Sequence, residues 1–117
     1  MEKQNVILEK SFQFALKIIE FCELLEEQKK YVIARQLLKS GTSIGANIRE
    51  GQGAESRADF IHKLKIAIKE AEETEYWLLL CKHSKNYPFE EILLSDNKEI
   101  LKIINSIITS AKRNAIK

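Results

Sequence analysis

The residues Gly41-Thr42-Ser43-Ile44-Gly45 spell the G-x-S-x-G pattern of a hydrolase nucleophile elbow. That chemistry needs a strand entering the serine and a helix leaving it, with a base beside the exposed hydroxyl. Here the flanks have helical composition on both sides. The two histidines, His62 and His83, fall away from the apolar seam of a different helical segment. Ser43 is therefore not expected to act as a nucleophile, and no enzymatic activity is expected. The same glycines have a packing use. Gly41 and Gly45 are four apart on the apolar side of a helix, the small-xxx-small spacing that lets a second backbone come close. Each glycine costs about 1 kcal/mol of helix propensity, which close packing must offset.

Other residue clusters carry weaker chemistry. Glu70, Glu72, Glu73 and Glu75 form an acidic run, but a di-metal bundle also wants Glu-x-x-His motifs, and the chain has none. Cys81 and His83 are two apart and do not share a helix face. No metal, cofactor or small-molecule substrate is expected. Ser40, Ser43, Asn47 and Glu50 make a polar stripe beside the apolar face of their helix. It reads either as a solvated face or as a hydrogen-bonded seam that fixes helix register or a subunit contact. Glu75 projects between Leu64 and Ile68, into an apolar seam. A carboxylate there needs donors, and Ser43, Asn47 or Arg49 could serve.

The elements that hold these residues follow from punctuation. All four glycines lie between Gly41 and Gly53, and Pro88 is the only proline in 117 residues. The rest reads as long helices within one domain spanning 1–117. Helix one is expected over about Leu8 to Glu27 and helix two over about Tyr31 to Glu50. Gly51-Gln52-Gly53 is expected to end helix two with left-handed conformations. Ser56-Arg57-Ala58-Asp59 has the spacing of a capping box that starts helix three, which runs to about Lys85. Pro88 suits the first turn of helix four, which runs to about Ala115. Ser95-Asp96-Asn97 is a place where helix four frays or re-caps. With short connections, the expected fold is all-α, an antiparallel up-down four-helix bundle. The polar start is not a signal peptide, no apolar run is long enough for a membrane, and two scattered cysteines suit a reducing cytoplasm.

Helix one is unusual. Its apolar arc runs from Phe21 through Phe14, Leu25, Ile18, Cys22, Ala15, Ile19 and Phe12 to Leu16. That covers about 220°, where a bundle helix needs little more than ~100°. A lone copy would leave part of the arc wet, so self-association through Phe14, Ile18, Phe21 and Leu25 is expected. The alternative is that helix one is covered within one chain.

Charge is segregated too. Residues 1–27 hold three basic and six acidic groups, and 28–69 hold nine and three. Residues 70–91 hold two and six, and 92–117 hold five and two. Helices two and four are the basic ones. Lys98, Lys102 and Lys112 line the face of helix four opposite its core side, with Arg113 beside them, and Arg35 and Lys39 are four apart on helix two. These six are candidates for tracking phosphates, against the plainer reading of a solubilising surface.

The run Ser40-Gly-Thr-Ser43-Ile-Gly45-Ala-Asn47-Ile-Arg-Glu50-Gly51 closely resembles the bacterial four-helix-bundle family named for proteins encoded within 23S rRNA intervening sequences. Some of its members carry the ribosomal-protein label. A second block, from Phe60 through Leu64, Ala67, Glu70, Glu73 and Thr74 to Trp77-Leu78, fits as well, as do Ser11-Phe12, Ala15 and Ile19. The chain is also similar to the accessory protein of diversity-generating retroelements. The resemblance implies an up-down bundle assembled as a homopentamer, no enzymatic activity, and nucleic-acid binding. It also implies that Ser43, Asn47, Glu50 and Glu73 are structural determinants. The expected function is thus a non-enzymatic homo-oligomeric bundle whose partners are itself and RNA or DNA. The alternative is a protein-interaction scaffold with no nucleic-acid role.

Overall fold

Long stretches free of glycine and proline become four helices in the computed structural model, which describes residues 2–116 of the backbone and residues 5–114 of the side chains. They are α1 (Glu2–Glu27), α2 (Tyr31–Gly51), α3 (Arg57–His83) and α4 (Glu91–Ile116). The cross-helix pairs fix their directions. Gly41 meets Ile18 and Gly45 meets Ser11, so α2 ascends as α1 descends. Ser40 meets Thr74 and Glu50 meets Lys63, which sets α3 antiparallel to α2. Each helix packs on two neighbours, in the closed order α1, α2, α3, α4 and back to α1. Among the described residues, no Cα atoms of the diagonal pairs, α1 with α3 or α2 with α4, come within 8 Å. The result is a rod of 53 × 21 × 19 Å.

The connections are built differently from the sequence expectation. No glycine has a positive φ, and α2 ends through Gln52 in an ordinary right-handed conformation, with its N–H on the Arg49 carbonyl at 3.1 Å. The left-handed positions belong to Lys29 and Asn86, both at φ 64°. Lys29 closes a Schellman turn. Its N–H bonds Glu26 O at 2.9 Å, and that of Lys30 bonds Leu25 O at 2.8 Å, satisfying two carbonyls that the helix end would leave bare. Ser56 does cap α3, accepting from the Asp59 N–H at 3.0 Å. Pro88 lies ahead of α4 and outside its first turn. Ser95-Asp96-Asn97 does not fray. It is continuous helix, with Asp96 and Asn97 buried.

Phe14, Ile18, Phe21 and Leu25 are at most 1% exposed, packed with Leu37, Ile44, Ile48, Leu64, Leu78, Leu93 and Ile100. Each such side chain contributes roughly 1.5–3 kcal/mol on burial. This corrects the expected contact surface. The four residues face their own bundle, because α1 has neighbours on two sides and its arc is wide enough to meet both. What stays open is the other edge of the arc, where Phe12 is 48%, Leu16 42% and Ile19 40% exposed.

Candidate interaction surfaces

Ser43 sits in mid-helix, and its hydroxyl donates to the Lys39 carbonyl one turn back at 2.6 Å. That geometry has no strand, no sharp turn and no histidine among its partners. The polar stripe divides along its length. Ser40 is fully buried and accepts from Thr74 Oγ1 at 2.9 Å, with the Glu70 carbonyl at 2.8 Å as the alternative acceptor for that proton. Asn47 Nδ2 donates to the Ser43 carbonyl at 2.9 Å. Glu50 pairs with Lys63 at 3.0 Å and so clips α2 to α3 near their loop. Glu73 is exposed. Glu75 is half-buried, and among the described residues neither Ser43, Asn47 nor Arg49 donates to it. The expected Glu75 contact is therefore absent, since α2 packs on the opposite flank of α3.

The glycines bring α1 and α2 together. A Cβ on Gly41 would stand 2.9 Å from two carbons of Ile18, and one on Gly45 would stand 3.2 Å from Ser11 Oγ and 3.4 Å from its carbonyl oxygen. The second backbone that the spacing asked for is α1.

Two buried polar residues on α4 were missed by sequence reasoning. Asp96 takes Lys17 at 2.8 Å and Lys10 at 3.8 Å, tying α4 to α1. Asn97 is fully buried and donates from Nδ2 to the Ala71 carbonyl at 2.9 Å, tying α4 to α3. A signal was available. Both lie among Leu93, Ile100 and Ile104 on the core side, where an ionised or amide group demands partners.

The six basic candidates do not form one surface. Arg35, Lys39, Lys98, Lys102, Lys112 and Arg113 are all exposed, and none has an ion-pair partner among the described residues. Yet α2 and α4 sit on a diagonal, so their outer faces point in opposite directions. Arg35 lines a recess with Ile19, Cys22, Leu38 and the acidic Glu23 and Glu26. Lys39 lies close enough to Glu70 to favour its ionised form. Beside the four α4 cations, Glu99 is engaged by Lys10 of α1 at 3.4 Å.

Two further faces are unfinished. Between α1 and α2 runs an apolar groove. One recess is lined by Leu8, Phe12, Ala15, Thr42, Ala46 and Arg49, and the next by Ile19 and Leu38. Between α2 and α3, Glu70 Oε1 and Trp77 Nε1 are buried with no hydrogen-bond partner. Burial raises the Glu70 carboxyl above its usual range, and the nearby Glu73 adds to the shift.

Among the described residues no three metal-ligating side chains cluster, and no helix is long and apolar enough to cross a membrane. The model of the 23S rRNA-intervening sequence protein family matches residues 3–106. A crystal structure of a protein of unknown function from the S23 ribosomal protein family of Bacteroides thetaiotaomicron is similar over most of its length. The two chains share 51% identity, the match covers 92% of this chain and 98% of that one, and the TM-score is 0.86. No curated protein matches the chain.

Proposed function

Since the chain belongs to the 23S rRNA-intervening sequence protein family, we propose that it is a non-enzymatic, self-associating helical bundle that binds RNA or DNA through phosphate contacts. The observation that carries this reading is the line of unpaired cations on α4. Lys98, Lys102, Lys112 and Arg113 lie exposed along about 22 Å of one helix, at 1.5 Å per residue. A family named for sequences within 23S rRNA makes RNA the first polymer to test. Self-association would add valency. One line of four cations is a weak site, but several copies held together bind one strand with much greater avidity.

A retardation assay across a salt series tests this. If all four cations touch phosphates, the log–log slope per engaged copy is about −2.8 on single strands and −3.6 on duplex. Replacing Lys98, Lys102, Lys112 and Arg113 by glutamine removes binding, while Arg35→Gln with Lys39→Gln changes it little. Absence of binding by the wild-type chain at low salt ends the reading. A second reading, a protein scaffold without a nucleic-acid role, draws on the exposed Phe12, Leu16 and Ile19. It predicts capture of a protein partner and indifference to RNA.

A further inference from the structure

The cations of α4 have company on the neighbouring helix. The Asn97 amide meets the Ala71 carbonyl and Lys82 meets Glu91, so α3 and α4 lie side by side and antiparallel. The half of α3 nearest the α2–α3 loop therefore flanks the half of α4 that carries the cations. That half of α3 holds Arg57, Lys65 and Lys69, all exposed and none with an ion-pair partner among the described residues. Lys65 and Lys69 are four apart and share the outer face of α3, as Lys98 and Lys102 do on α4. At 100° per residue, Lys65 inclines toward α4, while Lys63 inclines toward α2 and is engaged there by Glu50. Lys98 and Lys112 incline toward α3, while Glu99 inclines toward α1 and is engaged there by Lys10. Two rows of unpaired cations thus run along adjacent helices. Acidic groups stand at the margins. Asp59 lies on the α2 flank of α3, and Glu72 and Glu73 lie beyond Lys69, toward the opposite end of the rod.

We infer that this two-row face binds double-stranded RNA, with one row of cations on each backbone. The inference rests on the phosphate-binding reading and names the form of nucleic acid that the site takes. Packed helices stand roughly 8–10 Å apart, within the ~6–12 Å range of duplex groove widths, so each row can follow one rim of a groove. A single strand offers one row of phosphates and leaves the other cations idle. Single-strand binders also stack bases on exposed aromatic rings. In residues 57–69 and 98–113 the only phenyl, phenol or indole is that of Phe60, which is half-buried against the core.

Exposed acceptors among the α4 cations select RNA over DNA. Thr109 donates its only hydroxyl proton to the Asn105 carbonyl at 3.0 Å, so toward a ligand its oxygen can only accept. Asn105 Nδ2 holds the Leu101 carbonyl at 3.0 Å, and Oδ1 is not engaged among the described residues. Phosphate oxygens have no proton to give these atoms, whereas the ribose 2′-hydroxyl does. A-form RNA displays its 2′-hydroxyls along a wide, shallow minor groove, which a smooth pair of helices can meet without inserting a loop.

The test is affinity across a salt series for three probes: a blunt RNA duplex one helical turn long, the DNA duplex of the same sequence, and one RNA strand alone. The RNA duplex binds most tightly. Adding the three α3 cations to the four on α4 steepens its log–log slope per engaged copy from about −3.6 to about −6.3, while the single strand keeps about −2.8. Lys65→Gln with Lys69→Gln makes the duplex slope shallower by about 1.8 and leaves the single-strand slope unchanged. Thr109→Val keeps the side-chain shape and weakens RNA duplex binding roughly 2–10-fold, with no change for the DNA duplex. All these positions are exposed, and circular dichroism checks that each variant folds. If the α3 pair changes neither slope, or changes both equally, the inference is overturned and the phosphate-binding reading stands. A DNA duplex bound as tightly as the RNA duplex overturns it in the same way. No binding of any probe at low salt ends the phosphate-binding reading, and this inference with it.

Discussion

Gly41→Ala isolates the close approach of α1 and α2. Alanine is favoured over glycine by about 1 kcal/mol in a helix, and Gly41 has no left-handed φ to lose. Yet the added carbon would stand 2.9 Å from Ile18 Cγ1 and Cγ2, where carbon contacts settle at roughly 3.5–4.0 Å. Ile18 is fully buried and β-branched on a helix, so it has essentially one rotamer and cannot swing aside. The helices must part instead, and overpacking of this kind costs ~1–3 kcal/mol. The net expectation is a loss of roughly 0–2 kcal/mol, or several degrees of Tm. Gly53→Ala is the control. Its nearest atom is 3.8 Å away, so it gains about 0.4–1 kcal/mol. Urea melts followed by circular dichroism place Gly41→Ala below Gly53→Ala by roughly 0.4–3 kcal/mol. Adding Ile18→Ala removes the clashing carbons, so the two substitutions couple favourably by at least about 1 kcal/mol. Gly41→Ala proving as stable as Gly53→Ala would refute the claim that Gly41 exists to admit α1.

Two further predictions concern groups whose titration the fold alters. Cys22 and Cys81 are buried thiols pushed up to about 12 and about 11, mainly by desolvation, so neither reacts with a thiol reagent at neutral pH until the chain unfolds. They also form no disulfide with each other. The bond needs Cα atoms roughly 4.4–6.8 Å apart, whereas α1 and α3 stay beyond 8 Å. Rapid labelling of the native chain, or a Cys22–Cys81 bridge after oxidation, contradicts this placement. Glu70 binds its proton more tightly folded than unfolded, so its contribution favours the fold below the unfolded pKa and is lost as pH rises through the raised folded value. Glu70→Gln therefore raises stability at neutral pH and leaves it nearly unchanged in acid. An equal effect at both pH values counts against a desolvated carboxylate.

The diagonal placement of α2 and α4 changes how the charge pattern works. In sequence the two basic segments look like halves of one site, but on a single copy they face apart. The six cations cannot grip one strand together. Each line must act without the other or be repeated by assembly, which is why self-association bears directly on any phosphate contact.

The helices and their core seams were legible in the sequence, because a 3.6-residue repeat of apolar groups and the confinement of glycine to one region act locally. Phe60, Leu64, Ala67, Ala71, Thr74, Leu78 and Cys81 recur at spacings of four and three, the mark of a buried seam, and all but the half-buried Phe60 are buried. Ser56 read as a cap because capping chemistry spans three residues. The turns were less legible. Lys29 and Asn86 take left-handed conformations that composition assigns to glycine, because the packed helix ends force the chain to reverse there. Which part of the α1 arc is covered was decided only by the tertiary structure. Burial of Phe14 and Phe21 and exposure of Phe12 and Leu16 depend on which two helices flank α1, and neighbours are a property of the whole bundle. The same holds for Asp96 and Asn97. The Asp96 carboxylate is met by Lys17 of α1 and the Asn97 amide N–H by the Ala71 carbonyl of α3, dozens of residues away in the chain, and no local pattern specifies a partner at that distance.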